Sequence, residues 1–443
     1  MIPFTILVIL VPIGQQVYLG GFHFYADRIL ILFGCIRIAL TKLTSQDEII
    51  PWGLNGVDKM YFACTCFGAL ATVLLFREMQ AFTNQIGALW DGIGGYFVIR
   101  FMIQDKEDVA RFIKILAGCM LIIAVAMLNE AYRAQNVFGF ITGDWAVNIR
   151  DGAIRAHGPI FGPIVAGTFG ATALCLFVWL WVVGKSKLFA IVGIVACTIV
   201  TYTSQSSTPL LAYMASVIGL SMWFFRKQMR LVRWGIAIGL ISLHMIMKAP
   251  VWFIISHVDL VAGNSGFHRA VIIDGLVKHF SEWWLLGVKS TKYWGWDMWD
   301  QANQFVGVGE NGGLLTLVCF IWMISRSFGR LGTARKLVEG DTKKESEIYL
   351  LGAVLFAYVV SFFGTSFGSG PEVYPWYALF AMIAVMTSPI LQGNEAPVPA
   401  VSEHKVPFRI KYSSPAIPNK GLAGRFPLKQ LRLQGTSGRK ENS

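Results

Sequence analysis

Charge is what this chain has least of: charged side chains make up 14% of its 443 residues, against 55% hydrophobic, with a mean hydropathy of +0.55. A soluble fold of that make-up would lack the polar surface to stay dissolved. Nor is any hydrophilic block large enough to be a soluble domain, although ~150 residues per domain would allow about three. Acidic residues are the scarcer sign, 26 against 38 basic, for a formal charge of +12. No nucleic-acid motif accompanies that excess. The seven cysteines (Cys35, Cys64, Cys66, Cys119, Cys175, Cys197, Cys319) all fall in apolar runs. Cys64 and Cys66, the only close pair, have the spacing of neither a zinc knuckle nor a redox CxxC, so small packing residues are expected. No clustered carboxylates suggest a cation cage. The first apolar run lacks a basic segment before it and a small-residue cleavage site after it, and is expected to stay as a helix rather than be removed.

What the chain has in abundance is long apolar runs. A helix needs roughly 17–25 such residues to cross the hydrocarbon, where every backbone amide must find an internal partner. Runs of that order lie near 2–18, 28–42, 60–77, 86–103, 109–128, 160–182, 187–203, 208–225, 231–248, 306–325, 348–366 and 374–391. The fold class expected is therefore all-α, a polytopic membrane bundle of about twelve helices over residues 1–391. Residues 392–443, rich in Pro, Gly, Ser and basic side chains, are expected to form a disordered tail.

Basic loops resist translocation, so the positions of Lys and Arg orient the bundle. With the N-terminus inside, the loops 41–59, 103–114, 183–188, 226–233 and 325–347 and the tail hold 26 of the 38 basic residues. Both termini are then cytoplasmic, and the positive excess lies beside anionic lipid headgroups. The large loop at 249–309, between helices 9 and 10, falls on the translocated side, as does 129–159. Long ordered loops are usually functional, and transporters tend to keep such connections short. An enzyme working at the outer leaflet is the reading this favours.

Two stretches of the large loop carry the polar chemistry. GNSGFHRAVIIDGLVKHFSEWW reads as an amphipathic helix with Arg269 at the head of the stripe Ile272, Ile273, Leu276 and Phe280, opposite Asp274, Lys278 and Glu282. A buried arginine needs an anionic partner: a carboxylate such as Asp300, or a ligand phosphate, which its planar fork of donors suits. In WGWDMWDQANQFVGVGENGG, a helix starting near Asp297 would put Asp300, Asn303, Gly307 and Glu310 on one face. Ionisable groups at membrane depth are costly; these either line a site or form a cluster that closes the loop onto the bundle. Trp283, Trp284, Trp294, Trp296 and Trp299 crowd the region as interfacial belt residues, one or two of which could stack on carbohydrate.

Taken together, these motifs resemble the O-antigen ligase and polymerase superfamily, the lipid-linked oligosaccharide ligases and polymerases of bacterial envelopes. The resemblance covers the whole membrane part. It rests on the span number, the large loop between the ninth and tenth, Arg155 in IRAHGPIFGP, TSQSSTPLLA at the eighth span, SGFHRAVI with Arg269, and NQFVGVGENGGLL. It implies transfer of a glycan, on the periplasmic side of the inner membrane and without a metal or other cofactor, from an undecaprenyl pyrophosphate carrier to an acceptor hydroxyl on a glycan or lipid. Arg155 and Arg269 match the family's pyrophosphate-binding arginines, and Asn303 a substrate-binding asparagine. Ligases of the family place a histidine just before that asparagine, where this chain has Ala302. Asp300, Glu310 and His268 are then the candidate catalytic bases, or the chain belongs to the branch that polymerises repeat units, the reading preferred. A glycolipid flippase or polysaccharide exporter is the alternative, with Arg37, Asp91 and Arg100 as intramembrane charges. Arg37 and Arg100 are near enough to the cytoplasmic ends to snorkel; Asp91, in LWDGIGGYF, is not.

Overall fold

Proline and capping side chains decide where the apolar runs become helices. The computed structural model describes residues 1–393 apart from 13, 20–21, 45–48, 185, 258–264, 300–301 and 369. The expected tail, from residue 394 on, lies outside the described residues. Helix α1 (Ile2–Leu10) stops at Val11, which is extended because Pro12 follows it. The run 2–18 thus gives a short helix and then a hairpin, β1 (Gln16–Leu19) with β2 (Phe22–Tyr25), rather than one span. After α2 (Ala26–Thr44), a capping box opens α3 (Gly56–Phe76): the Asn55 side chain accepts from Val57 and Asp58, and Asp58 accepts the Asn55 N–H.

Next, α4 (Met79–Leu89) and α5 (Gly95–Met102) are joined by a π turn, Trp90–Gly94. The Tyr61 hydroxyl donates to the Gly92 carbonyl of that turn at 3.0 Å. Asp91, on the same turn, is held by Arg28 through Nε at 2.9 Å and Nη2 at 2.9 Å. Arg100 does not snorkel: it is 1% exposed and turns inward to Asp58, 3.8 Å away, whose carboxylate also accepts the Tyr96 hydroxyl.

Beyond α6 (Lys106–Arg133) and the single turn α7 (Gly139–Thr142), a second hairpin pairs β3 (Asn148–Arg150) with β4 (Ala153–Arg155). Then come α8 (Pro163–Val183), α9 (Lys187–Thr203), α10 (Ser207–Ser221) and α11 (Met229–Ile246). The runs 208–225 and 231–248 form one helical stretch of 40 residues rather than two helices and a loop. A 3-10 turn, Met222–Gln228, carries the chain through the basic residues, and Arg226 there stacks on Trp223 and meets Glu345 at 3.1 Å. The chain ends its described course with α12 (Ser265–Lys278), α13 (Phe280–Trp283), α14 (Gln304–Leu337), α15 (Thr342–Ser361) and α16 (Val373–Gln392). Among the described residues six helical stretches are long and apolar enough to cross a membrane: Gly56–Phe76, Lys106–Arg133, Pro163–Val183, Ser207–Ile246, Gln304–Leu337 and Val373–Gln392.

The core forms around α8, buried along most of its length against α6, α9, α10 and α15. Polar contacts collect at opposite ends of this core. At one end Glu345 pairs with Arg335 at 2.6 Å and with Arg226, Glu347 with Lys106 at 2.6 Å, and Glu339 with Lys227 at 2.7 Å. Glu345 and Glu347 are buried, which a carboxylate tolerates only when paired. Three of the basic loops expected on one side of the membrane, 103–114, 226–233 and 325–347, therefore meet at one end of the bundle. The other end holds the sites named from sequence.

Candidate functional site

The polar end is organised by the start of α14. Asp297 has a positive φ of 58°, and the helix begins only at Gln304, with Asn303 as its cap. The Asn303 side-chain oxygen accepts from Phe305 at 3.0 Å and Val306 at 3.2 Å, and its amide donates to the Phe363 carbonyl at 3.4 Å. The single face expected for Asp300, Asn303, Gly307 and Glu310 does not form, because Asn303 precedes the helix; Asp300 lies outside the described residues. Gly307 and Glu310 remain one turn apart on α14, with Glu310 3% exposed.

Shortly after Glu310 the helix breaks at Gly313, whose φ is 73°. A break at that depth strands backbone groups that water cannot reach. Neighbouring segments take them up: Val288 N–H donates to the Glu310 carbonyl at 2.7 Å, the Thr72 hydroxyl to the Asn311 carbonyl at 3.0 Å, and Leu314 N–H to the Trp284 carbonyl at 2.8 Å. Gly287 (φ 90°) lies so close that a Cβ there would stand 2.2 Å from the Glu310 carbonyl oxygen. Gly287→Ala is expected to destabilise the protein by about 1–3 kcal/mol, the usual cost of overpacking. Thermal unfolding of the purified protein measures this, and an unchanged Tm would mean that the loop does not seal the break.

The large loop folds onto this helix. α12 runs over the stripe expected, burying Ile272 and Leu276 with Trp283, Met298 and Val306. Arg269 is buried among them at 4% exposure, His268 beside it is half-buried, and α12 packs on α14, which carries Asn303 and Glu310. Asp274 and Lys278 pair at 2.6 Å on the outer side. Phe280 is exposed, so the stripe ends before it. Glu282 leaves their company and gathers Tyr293, His279 and Trp294 as donors, which hold its carboxyl near a pKa of about 2. Trp283 donates to the Leu276 carbonyl at 2.7 Å and packs on Gly309, whereas Trp284, Trp296 and Trp299 are exposed.

Arg155 stands on a different wall, on β4. Its Nη2 donates to Ser206 Oγ at 2.6 Å, its Nε has no hydrogen-bond partner, and it pairs with no carboxylate among the described residues. Burial, and next the Arg150 charge, lower its pKa below the ordinary value. The Asp151 carboxylate acts in the opposite direction. The residues following Arg155 fix it: Ala156 N–H donates to the Thr203 carbonyl, and Glu130, fully buried, accepts Gly158 N–H at 2.9 Å and His157 N–H at 3.2 Å. His157 Nε2 stands 3.7 Å from Glu130, and Asn136 donates to the Gly158 carbonyl at 2.8 Å. His157 and Ser206 fall within the motifs IRAHGPIFGP and TSQSSTPLLA without being named there as site residues, and the signal for Glu130 is that it is a lone acid just past the span 109–128.

The two walls are tied by a short bridge. Two residues beyond Ser206, the Thr208 hydroxyl donates to the Gly364 carbonyl at 2.9 Å, next to the Phe363 carbonyl that Asn303 uses. Gln304 adds to it, accepting Phe367 N–H at 2.6 Å. Among the described residues no group of three or more His, Cys, Asp or Glu side chains is placed to hold a metal ion. No known family's sequence model matches the chain, and comparison with curated proteins finds no match.

Proposed function

We propose that the protein is a membrane glycosyltransferase of the O-antigen ligase and polymerase type. It would move a glycan from undecaprenyl pyrophosphate to an acceptor hydroxyl during surface polysaccharide assembly. The observation that carries this reading is Arg155, half-buried, locked by its loop and without a carboxylate partner among the described residues. Such a group is suited to a phosphate, and Arg269 on α12 is the second donor of charge. In the step, the acceptor oxygen bonds to the anomeric carbon as the bond from that carbon to the pyrophosphate oxygen breaks. The hydroxyl proton passes to a base among Asp300, Glu310 and His268, and the arginines neutralise the departing pyrophosphate. Ala302 in place of the ligases' histidine favours the polymerising branch. The flippase alternative rests on Arg37, Asp91 and Arg100 as intramembrane charges; Asp91 is paired with Arg28, and Arg100, although buried rather than snorkelling, faces Asp58.

This reading places the loops 129–159 and 249–309 in the periplasm and both termini in the cytoplasm of a bacterial inner membrane. Beyond the six long apolar stretches, α2, the α4–α5 run, α9 and α15 are further candidate crossings, and the expected count of about twelve is reached only if the nine-residue α1 also crosses and α10 and α11 cross separately on either side of the basic turn. Single cysteines introduced at Gly340 and Ser290 in a cysteine-free background should be labelled from opposite sides; labelling of both from the periplasm would reject this topology. The function itself is tested by envelope glycan analysis after deletion. Single-repeat chains mark a polymerase, carrier-bound long chains a ligase, and an unaltered glycan profile rejects both.

A further inference from the structure

A cavity of about 340 Å³ opens between the end of α1, the start of α2, the π turn and the segment before α16. Asp27, Arg28 and Asp91 form its polar wall, and Gln15, Tyr25 and Tyr374 also line it. Its volume falls within the roughly 300–1,000 Å³ of small-molecule sites. Arg28 is committed to Asp91 by three short contacts and lies over the Tyr25 ring, 5.1 Å from its centre. Among the described residues Asp27, in the first turn of α2, takes no side-chain hydrogen bond or ion pair, while the backbone N–H groups of Asp27 and Arg28 donate to it. The cavity therefore offers the remaining acceptor capacity of Asp27 beside a guanidinium engaged with Asp91, with tyrosine rings at hand.

That combination selects among ligands. An anion would meet two carboxylates, and a lipid tail would meet all three charges. A neutral ligand carrying many hydroxyls satisfies both signs at once, because each hydroxyl both donates and accepts. Tyrosine rings suit the apolar faces of a sugar ring. Position argues the same way. Gly370 and Pro371 line the cavity, and the segment leading to them holds the Phe363 and Gly364 carbonyls used by Asn303 and Thr208. One segment of chain, between α15 and α16, thus contributes to both the cavity and the candidate site. Irregular π turns such as the one bearing Asp91 are frequent at functional sites.

We infer that this cavity seats a saccharide unit of the acceptor, with Asp27 accepting from its hydroxyls beside the Arg28–Asp91 pair, an assignment that rests on the glycan-transfer reading. It uses no group named as base or pyrophosphate ligand, so its test is separable from theirs.

The test is saturation-transfer NMR on the purified full-length protein in nanodiscs. The probes are methyl glucoside, methyl galactoside, N-acetylglucosamine and, as a control, propylammonium. Asp27→Asn removes a charged acceptor at little steric cost, and Val11→Trp fills the cavity from the end of α1; both are checked by Tm. At least one sugar should bind the wild type, about ten-fold more weakly or worse in Asp27→Asn, as expected for losing a hydrogen bond to a charged group, and undetectably in Val11→Trp. No sugar binding by the wild type, equal binding in both folded variants, or preference for propylammonium would overturn the assignment. Glycan transfer is measured in parallel with the lipid-linked donor. Sugar binding without transfer would leave the cavity assigned and reject the transferase, and transfer with an acceptor KM unchanged in Asp27→Asn would do the reverse.

Discussion

Arg155→Lys and Arg269→Lys are each expected to lower glycan transfer by about 10²–10³-fold, the range seen when one donor to a developing oxyanion is removed. Lysine keeps the charge in both variants, so the loss would report geometry. An ammonium is a compact point charge, whereas a guanidinium can hold Ser206 through Nη2 and still present other N–H groups to a phosphate. At Arg155 the one side-chain contact at risk among the described residues is the hydrogen bond to Ser206, so the Tm check separates its loss from the loss of function. Arg269, at 4% exposure in the contact between α12 and α14, demands more care. Each variant is assayed as purified protein with a lipid-linked donor and checked by Tm. Wild-type turnover in both folded variants would leave the arginines as structural groups and remove the main support for the transferase reading.

How far the sequence could be read depended on whether the determining interaction was local. The stripe from Arg269 through Leu276 is a matter of helical periodicity, and α12 follows it with the arginine buried at its head. The start of α14 escaped because periodicity does not register a cap: Asn303 holds the first amides, so the helix begins after the loop rather than within it. Pro12 was in plain view, yet the apolar run hid its effect on Val11 and hence on the length of α1. The ion pair of Arg28 with Asp91 spans 63 residues, and Glu130 reaches across 28 to Gly158. Such pairings follow from which helices pack together. Hydropathy in turn marked 208–225 and 231–248 as separate runs, because Arg226 and Lys227 interrupt the apolar pattern; the backbone turns through them without leaving helical geometry, while Glu345 and Glu339 absorb their charge.

Asp300→Asn should reduce transfer by ~10²–10⁴-fold, the usual contribution of a positioned base, and more than the corresponding changes at Glu310 or His268. Removing the acceptor proton requires a group that the acceptor can reach from the aqueous side. Asp300 precedes the cap of α14 by three residues in the sequence and lies outside the described residues, so its candidacy rests on its place in the sequence. Glu310 sits about 10 Å along the helix at 1.5 Å per residue, is 3% exposed, and lies where the break at Gly313 ties the loop to the bundle. Glu310→Gln is nearly isosteric, so a lower Tm in that variant would mark Glu310 as a structural group. His268 is half-buried beside Arg269, and His268→Ala should act on acceptor binding more than on turnover. The assay compares kcat and KM for the three variants with purified protein and lipid-linked donor, each first shown to be folded. A large fall at Glu310→Gln with an unchanged Tm would move the base from the loop to the helix. Rates within a few-fold of wild type in all three would exclude a side-chain base at these positions and leave departure of the pyrophosphate, assisted by Arg155 and Arg269, as the step the protein accelerates.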